Sequence, residues 1–405
     1  MQITQRKVFG TLIMAILVLV GAIFGAARFS RCARAANASS GDPQLAQPGW
    51  RLAQPFTYQN LTIFPVLSAQ EMDTSEFATL DEALASGQAV ITEQGAEMRR
   101  TRDGVVVPNY QLGPQVNQLV LINRGKRPLI LLAGEVVSGG KQDRVIGKDR
   151  IVPIGAAPLP LDVFCVEHGR WTQGAVQFSA AQMMVHPSVR DKAAVEQDQR
   201  QVWAAVRGEA SGVGSASDRV TVESGTPAPA AMAPEIPRSA VAGAIADSGT
   251  QSYQKIYEAS PIGASVESFT DEMQRRFARE TSELKGERVV GVVVAFGPEV
   301  AWSDVFASSQ LFDAYWPKLL RSYVVEAMTR PRIRRVASID DARDFLRPAT
   351  GHIEEESEPG VYRWRKQAEG RLAEIELDAL QTKPFTLHWL RVLHADSDVR
   401  PRYVD

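Results

Sequence analysis

The sequence predicts an α+β fold: a β-rich sandwich or barrel-like core from the first half, packed with several helices and late strands. Three features predict it. From Leu61 to about Val166, short β-branched segments alternate with Gly, Pro and Asn, the pattern of strands and turns. Val266, Phe269, Met273, Phe277 and Leu284 then recur at helical spacing. Strand-like stretches return around Tyr362, Leu372 to Leu377 and Phe385 to Leu393. At 405 residues and 44% hydrophobic, the chain can bury a substantial core.

The elements follow in order. Residues 1–38 read as a signal peptide or an N-terminal membrane anchor. Arg6 and Lys7 precede an uncharged run from Val8 to Ala27, and Ala36-Asn37-Ala38 has the form of a signal-peptidase site. The run is also long enough to span a bilayer. The body is expected outside the cytoplasm, and sequencing the mature N-terminus separates cleavage from retention. Residues 39–55 read as a linker, rich in Pro, Gln and Ser. The first folded part, 56–207, carries the strands "LTIFPVL", "QAVITEQ", "VNQLVLINRG", "RPLILLAGEVV" and "LDVFCVEHGRW". A helix is expected at about Glu76 to Ala85, and two strands should pair across "INRGKRP". An amphipathic helix is expected from about Arg190 to Arg207, with Val195, Val202 and Val206 on one face. Residues 208–249 are dominated by Ser, Gly, Ala, Pro and Thr and lack aromatics, a composition that predicts a disordered insertion. The second folded part, 250–395, belongs to the same domain. "RVVGVVVAF" suits a strand buried on both faces. Pro317 should break or kink its helix, or start its second half. "DDARDFL" reads as a short helix, and 396–405 as a tail.

The formal charge is −2. The first 38 residues hold five basic side chains and no acid, so the remainder carries −7. A general nucleic-acid binder needs the opposite balance. Cys32 and Cys165 are the only cysteines, so cleavage after Ala38 would leave no intramolecular pair. No metal-ligand set appears. His388 and His394 would lie roughly 20 Å apart along a strand, and His352 beside Glu354 to Glu356 reads as a solvated charged loop.

The chemistry concentrates between Gly134 and Trp171. "GEVVSGGK" misses the phosphate-loop spacing, since Gly140 stands where Lys is needed. Gly139 and Gly140 still free the backbone to turn, with Lys141 and Arg144 adding positive charge for an anion. A glycine hairpin with solvated charges is the alternative. Glu135 ends an apolar run, where burial either raises its pKa for acid–base work or demands pairing with Lys141 or Arg144. Gln142 is the orienting hydrogen-bonder. Cys165 and Glu167 share one strand face, and Cys165 reads as a structural or a reactive thiol. Arg170 and Trp171 offer a guanidinium-on-indole surface for a nucleotide or sugar ring, or close the core.

The blocks "LLAGEVVSGGKQDRVIGKDRIVP" and "VFCVEHGRW" resemble the signature of the ADP-ribosylglycohydrolase- and rhodanese-phosphatase-associated protein domain family. "QRQVWAAV", "GTQSYQKIYE" and the run from Val289 to Ala327 resemble its later blocks. The resemblance covers roughly Phe56 to His394 and implies a link to ADP-ribose or other nucleotides. On the positions that match its polar signature, the expected site is Glu135, Lys141, Gln142, Arg144, Cys165, Glu167, Arg170 and Trp171. The expected ligand is a small anionic or nucleotide-like molecule. The sequence specifies no cofactor or oligomeric state. The membrane enters only through an uncleaved N-terminal segment. A non-catalytic cell-envelope interaction module stays open beside this reading.

Overall fold

The computed structural model describes residues 45–94, 97–100, 106–109, 115–140, 142–166, 177–206, 260–282, 284, 286–333, 335–381 and 383–394. All of them belong to one compact unit, Leu45–Asp405. In its first half the strands are β1 (Trp50–Leu52), β2 (Phe56–Tyr58), β3 (Leu61–Ser68), β4 (Ala78–Thr79), β5 (Ala89–Gln94), β6 (Glu97–Arg100) and β7 (Val106–Asn109). They continue as β8 (Gln115–Asn123), β9 (Leu129–Leu131), β10 (Glu135–Ser138), β11 (Arg144–Ile146), β12 (Arg150–Val152), β13 (Leu159–Leu161), β14 (Val163–Cys165) and β15 (Gln177–Met184). Helix α1 (Leu80–Ala85) follows β4. After β15 come α2 (Pro187–Asp191), a π turn (Lys192–Glu196) and α3 (Gln199–Val206). The second half runs α4 (Ser260–Thr281), β16 (Arg288–Phe296), β17 (Glu299–Phe306), α5 (Ser309–Thr329), α6 (Ile339–Phe345), β18 (His352–Glu358), β19 (Tyr362–Glu369), β20 (Leu372–Ala379) and β21 (Phe385–Leu393).

The predicted α+β class is the observed one. Seven first-half strands, in the order β13-β8-β5-β15-β10-β11-β14, form a nearly closed barrel-like sheet. Its ends, β13 and β14, are consecutive in the chain. A second sheet is mostly antiparallel meander, β16-β17 and β21-β20-β19-β18, but β3 pairs along β16 and joins the two halves of the chain in one layer. β16 is buried along most of its length, as its continuous apolar run requires. Helices α4 and α5 cover one face of that sheet through Phe277, Phe312, Tyr315 and Trp316. Helix α6 covers the other through Phe345, against Val293 and Trp389. Among the described residues no helix is long and apolar enough to cross a membrane. The 1–38 segment, the 208–249 stretch and the 396–405 tail lie outside the described residues.

Several local expectations change. The apolar run "RPLILLAGEVV" is two strands, because Gly134 sits at φ +100 and turns the chain. No strands pair across "INRGKRP": β8 pairs with β5 and β13, while β9 pairs with β12 and β4. Asn123 causes the divergence. Its Oδ1 accepts from the Gly125 N–H at 2.9 Å, and its Nδ2 donates to the Val152 carbonyl at 3.1 Å, which steers the chain toward β12. The 190–207 helix is interrupted by Gln197 at φ 51. Asp198 then restarts it, accepting from the Arg200 and Gln201 N–H groups. Pro317 does not break α5. It lies on the exposed side, where the Asp313 carbonyl that loses its partner can face water. The stretch around His352 is an exposed edge strand rather than a loop, paired with β19 over its whole length. Within the 39–55 linker, Trp50 pairs opposite Ser68 and packs edge-on to Trp389 at 5.2 Å.

Candidate functional site

The chain turns sharply at Leu132-Ala133-Gly134-Glu135, between β9 and β10. A Cβ at Gly134 would lie 2.7 Å from Cγ and Cδ of Arg190, so glycine is required by space as well as by φ. The Gly134 N–H donates to the Ile146 carbonyl at 2.8 Å, and its own carbonyl accepts from the Val185 N–H at 2.9 Å. Three charged side chains hold the rest of the turn. Asp149 Oδ1 accepts from the Ala133 N–H at 2.7 Å, Arg190 Nε donates to the Ala133 carbonyl at 2.7 Å, and Glu135 Oε2 accepts from the Leu132 N–H at 2.7 Å.

One branch of contacts closes a ring. Arg190 Nη1 donates to Asp304 Oδ2 at 2.9 Å. The Asp304 carboxylate also accepts from Trp302 Nε1 at 2.8 Å and from the Tyr323 hydroxyl. Its Oδ1 lies 3.0 Å from His388 Nε2, and His388 Nδ1 lies 2.6 Å from Asp149 Oδ2. The path Ala133–Asp149–His388–Asp304–Arg190–Ala133 is therefore continuous, and none of its four side chains is more than 1% exposed. Burial alone would lower the His388 pKa, but the flanking Asp149 and Asp304 carboxylates outweigh it and raise the value above 6.5. As an imidazolium, His388 donates from both ring nitrogens. Burial pushes Asp304 up, yet Arg190 and His388 hold it far below the usual carboxylate range.

A testable pH dependence follows. The folded-state pKa of His388 is raised, so its contribution to stability is complete below the unfolded value of 6.5. It is lost as pH rises through the folded value. The denaturation midpoint should therefore be constant below about pH 6.5 and fall as pH rises above it through the folded value. His388→Gln should flatten that slope. An equally steep slope in the variant would exclude His388 as its source.

The other branch reaches solvent. Lys318 Nζ, on α5, donates to Glu135 Oε1 at 2.6 Å and to Asp81 Oδ2 at 2.7 Å. Asp81 stands in the first turn of α1 and its side chain is 25% exposed, against 5% for Lys318. Burial raises Glu135 above the usual carboxylate range despite Lys318. Burial would lower Lys318, but Glu135 and Asp81 carry its pKa upward. Lys318 Nζ also lies 4.5 Å from the Tyr315 ring centroid. Phe306 joins the branches, stacked on Tyr315 at 5.3 Å and 4.8 Å from His388.

The structure divides the residues that the sequence nominated. Glu135 lies at one end of the β10–β11 hairpin, paired with Lys318 and not with Arg144. Gln142 and Arg144 lie toward the other end, both buried. Arg144 Nη1 donates to the Gln142 carbonyl at 2.9 Å and to the Asp143 carbonyl at 3.2 Å, and Arg144 faces Cys165 across the β11–β14 pair. Cys165 is buried, and Gln199 clamps its backbone with two bonds of 2.8 Å. Lys141, Glu167, Arg170 and Trp171 lie outside the described residues. Sequence reasoning passed over Asp81, Asp149, Arg190, Asp304, Tyr315, Lys318 and Tyr323, and it weighed His388 only as a metal ligand. A signal existed for three of them. Asp304 in "VAWSDVF", Lys318 in "YWPKLL" and His388 in "FTLHWL" are lone ionisable groups in apolar runs, costly unless they have partners.

The family model of the ARPP-1 domain, described as ARG and Rhodanese-Phosphatase-superfamily-associated Protein, matches residues 49–391. No curated protein and no solved structure matches the chain.

Proposed function

The chain belongs to the ARPP-1 family, and we propose that it binds or processes a phosphorylated or nucleotide-like, ADP-ribose-related small molecule. One observation carries the reading: Glu135, Asp149, Arg190, Asp304, Lys318 and His388 are all buried around a single turn. A fold gains little from burying ion pairs that apolar side chains could replace, whereas perturbed ionisable groups concentrate at functional sites. The family's association with ARG and rhodanese-phosphatase proteins supports the ligand class. In this reading Glu135 and Lys318 form the acid–base pair. Gln142 and Arg144, with Lys141, Glu167, Arg170 and Trp171, contact the phosphates and base. The two ends of β10 are about 10 Å apart at ordinary strand rise, a span that suits a ligand with distinct sugar and phosphate ends. We also propose that the body is exported, on the strength of Arg6, Lys7 and the apolar run that follows.

A thermal-shift panel of ADP-ribose, ADP, ribose 5-phosphate and inorganic phosphate tests the reading. A ligand at about 100 times its Kd should stabilise the fold by about 2.7 kcal/mol. No shift with any member would contradict the proposal. It would favour a non-catalytic cell-envelope module, a reading supported by the engagement of both Glu135 oxygens in internal bonds.

A further inference from the structure

Almost every polar atom of the buried network has a partner. Two donors do not: the Tyr315 hydroxyl and Arg190 Nη2 have no hydrogen-bond partner among the described residues. Tyr315 is 0% exposed and Arg190 is 1% exposed. An enclosed donor without an acceptor is a local cost, so such groups in a folded protein call for an explanation. Both belong to the same neighbourhood. Arg190 holds the Ala133 carbonyl, and the Tyr315 ring lies against Lys318, which holds Glu135.

The chemistry of a complementary group follows from what is already satisfied. Both oxygens of Glu135, Asp149 and Asp304 accept bonds or lie against a ring nitrogen, so the network offers donors rather than acceptors. Tyr315 stays a donor, because burial and then the Glu135, Asp81 and Asp149 charges push its pKa well above 10. A ligand atom here must therefore accept. It should also be neutral. Asp81, Glu135, Asp149 and Asp304 set four carboxylates against three cations, Arg190, Lys318 and protonated His388, so the formal charge is already −1. A further buried anion would be repelled.

We propose that Tyr315, with Arg190 Nη2, recognises a hydroxyl or carbonyl oxygen of the sugar portion of the ligand, reached from the Asp81 side. This rests on the nucleotide-like reading above and deepens it by assigning the sugar end. Tyr315 acts as a specificity-determining donor. The phosphates lie toward the Arg144 end of the hairpin.

Isothermal titration of the full chain and of Tyr315→Phe with ADP-ribose, ribose 5-phosphate and pyrophosphate tests the assignment. The substitution removes one hydroxyl that makes no bond among the described residues, so the melting temperature should not fall. Affinity for ADP-ribose and ribose 5-phosphate should fall about tenfold, the value of one lost hydrogen bond, while pyrophosphate binding stays unchanged. Equal ADP-ribose affinity in both proteins would overturn the assignment and leave the functional reading standing. An equal loss for pyrophosphate would overturn it by moving Tyr315 to the phosphate end. A lowered melting temperature with unchanged binding would overturn it by making the hydroxyl structural. Failure of the wild-type chain to bind any of the three probes would defeat the functional reading, and this assignment with it.

Discussion

Asp304→Asn is expected to lower the melting temperature by about 5–8 °C, corresponding to about 3–5 kcal/mol for breaking a buried ion pair. The substitution preserves shape, so no cavity term enters. The loss is electronic. Asp304 Oδ2 accepts from Arg190 Nη1, Trp302 Nε1 and the Tyr323 hydroxyl, and Oδ1 faces His388 Nε2. An amide nitrogen at either position meets donors with donors. It also leaves the Arg190 and His388 charges with less than their present compensation. Differential scanning calorimetry measures the effect. A variant within about 1 °C of wild type, less than about 1 kcal/mol for a domain of this size, would mean that the ring is not part of the stability of the fold.

Lys318→Met is expected to be nearly as damaging, and more so than Glu135→Gln. Removing the ammonium leaves Glu135 buried and ionisable with only the Leu132 N–H, near the Asp81 carboxylate. Its pKa, already raised by burial, should rise further, and the chain should lose about 3 kcal/mol or more at neutral pH. Glu135→Gln is milder because Lys318 keeps Asp81, although one of two converging donors loses its acceptor. The double variant should recover part of the Lys318→Met loss, since it removes the uncompensated acid. A coupling of about 0.5–3 kcal/mol is expected for side chains in contact. Additive effects in chemical denaturation would show that Glu135 and Lys318 do not act as a pair.

These expectations change the partner that the sequence offered Glu135. There it was a carboxylate at the end of an apolar run, tuned for acid–base work or paired with Lys141 or Arg144. Its actual partner lies 183 positions away on α5. Local pattern carried the strands, the short helices and the buried β16, because alternation and β-branching act over a few residues. It did not carry the topology around "INRGKRP", where one Asn side chain outweighs hairpin spacing. Nor could it show the ring. Asp149, in the β11–β12 connection, and Arg190, Asp304 and His388, on α2, β17 and β21, come from four separate segments, and only strand register sets β17 beside β21 with Phe306 opposite His388. What remained legible was the unease of each group alone: a single charge in an apolar run implies a distant partner without naming it. Gly134 was not legible in this way: inside an apolar run it read as part of one strand, and neither its turn nor the Arg190 side chain that forbids a Cβ could be seen.

The central claim is that the buried charges around the Leu132–Glu135 turn serve a ligand as well as the fold. Calorimetric titration of the wild-type chain with ADP-ribose tests it most directly. Saturable binding with one ligand per chain, lost in Lys318→Met under conditions where that variant is still folded, is the expected result. Absence of binding to the wild-type chain, or binding left intact by Lys318→Met, would contradict it.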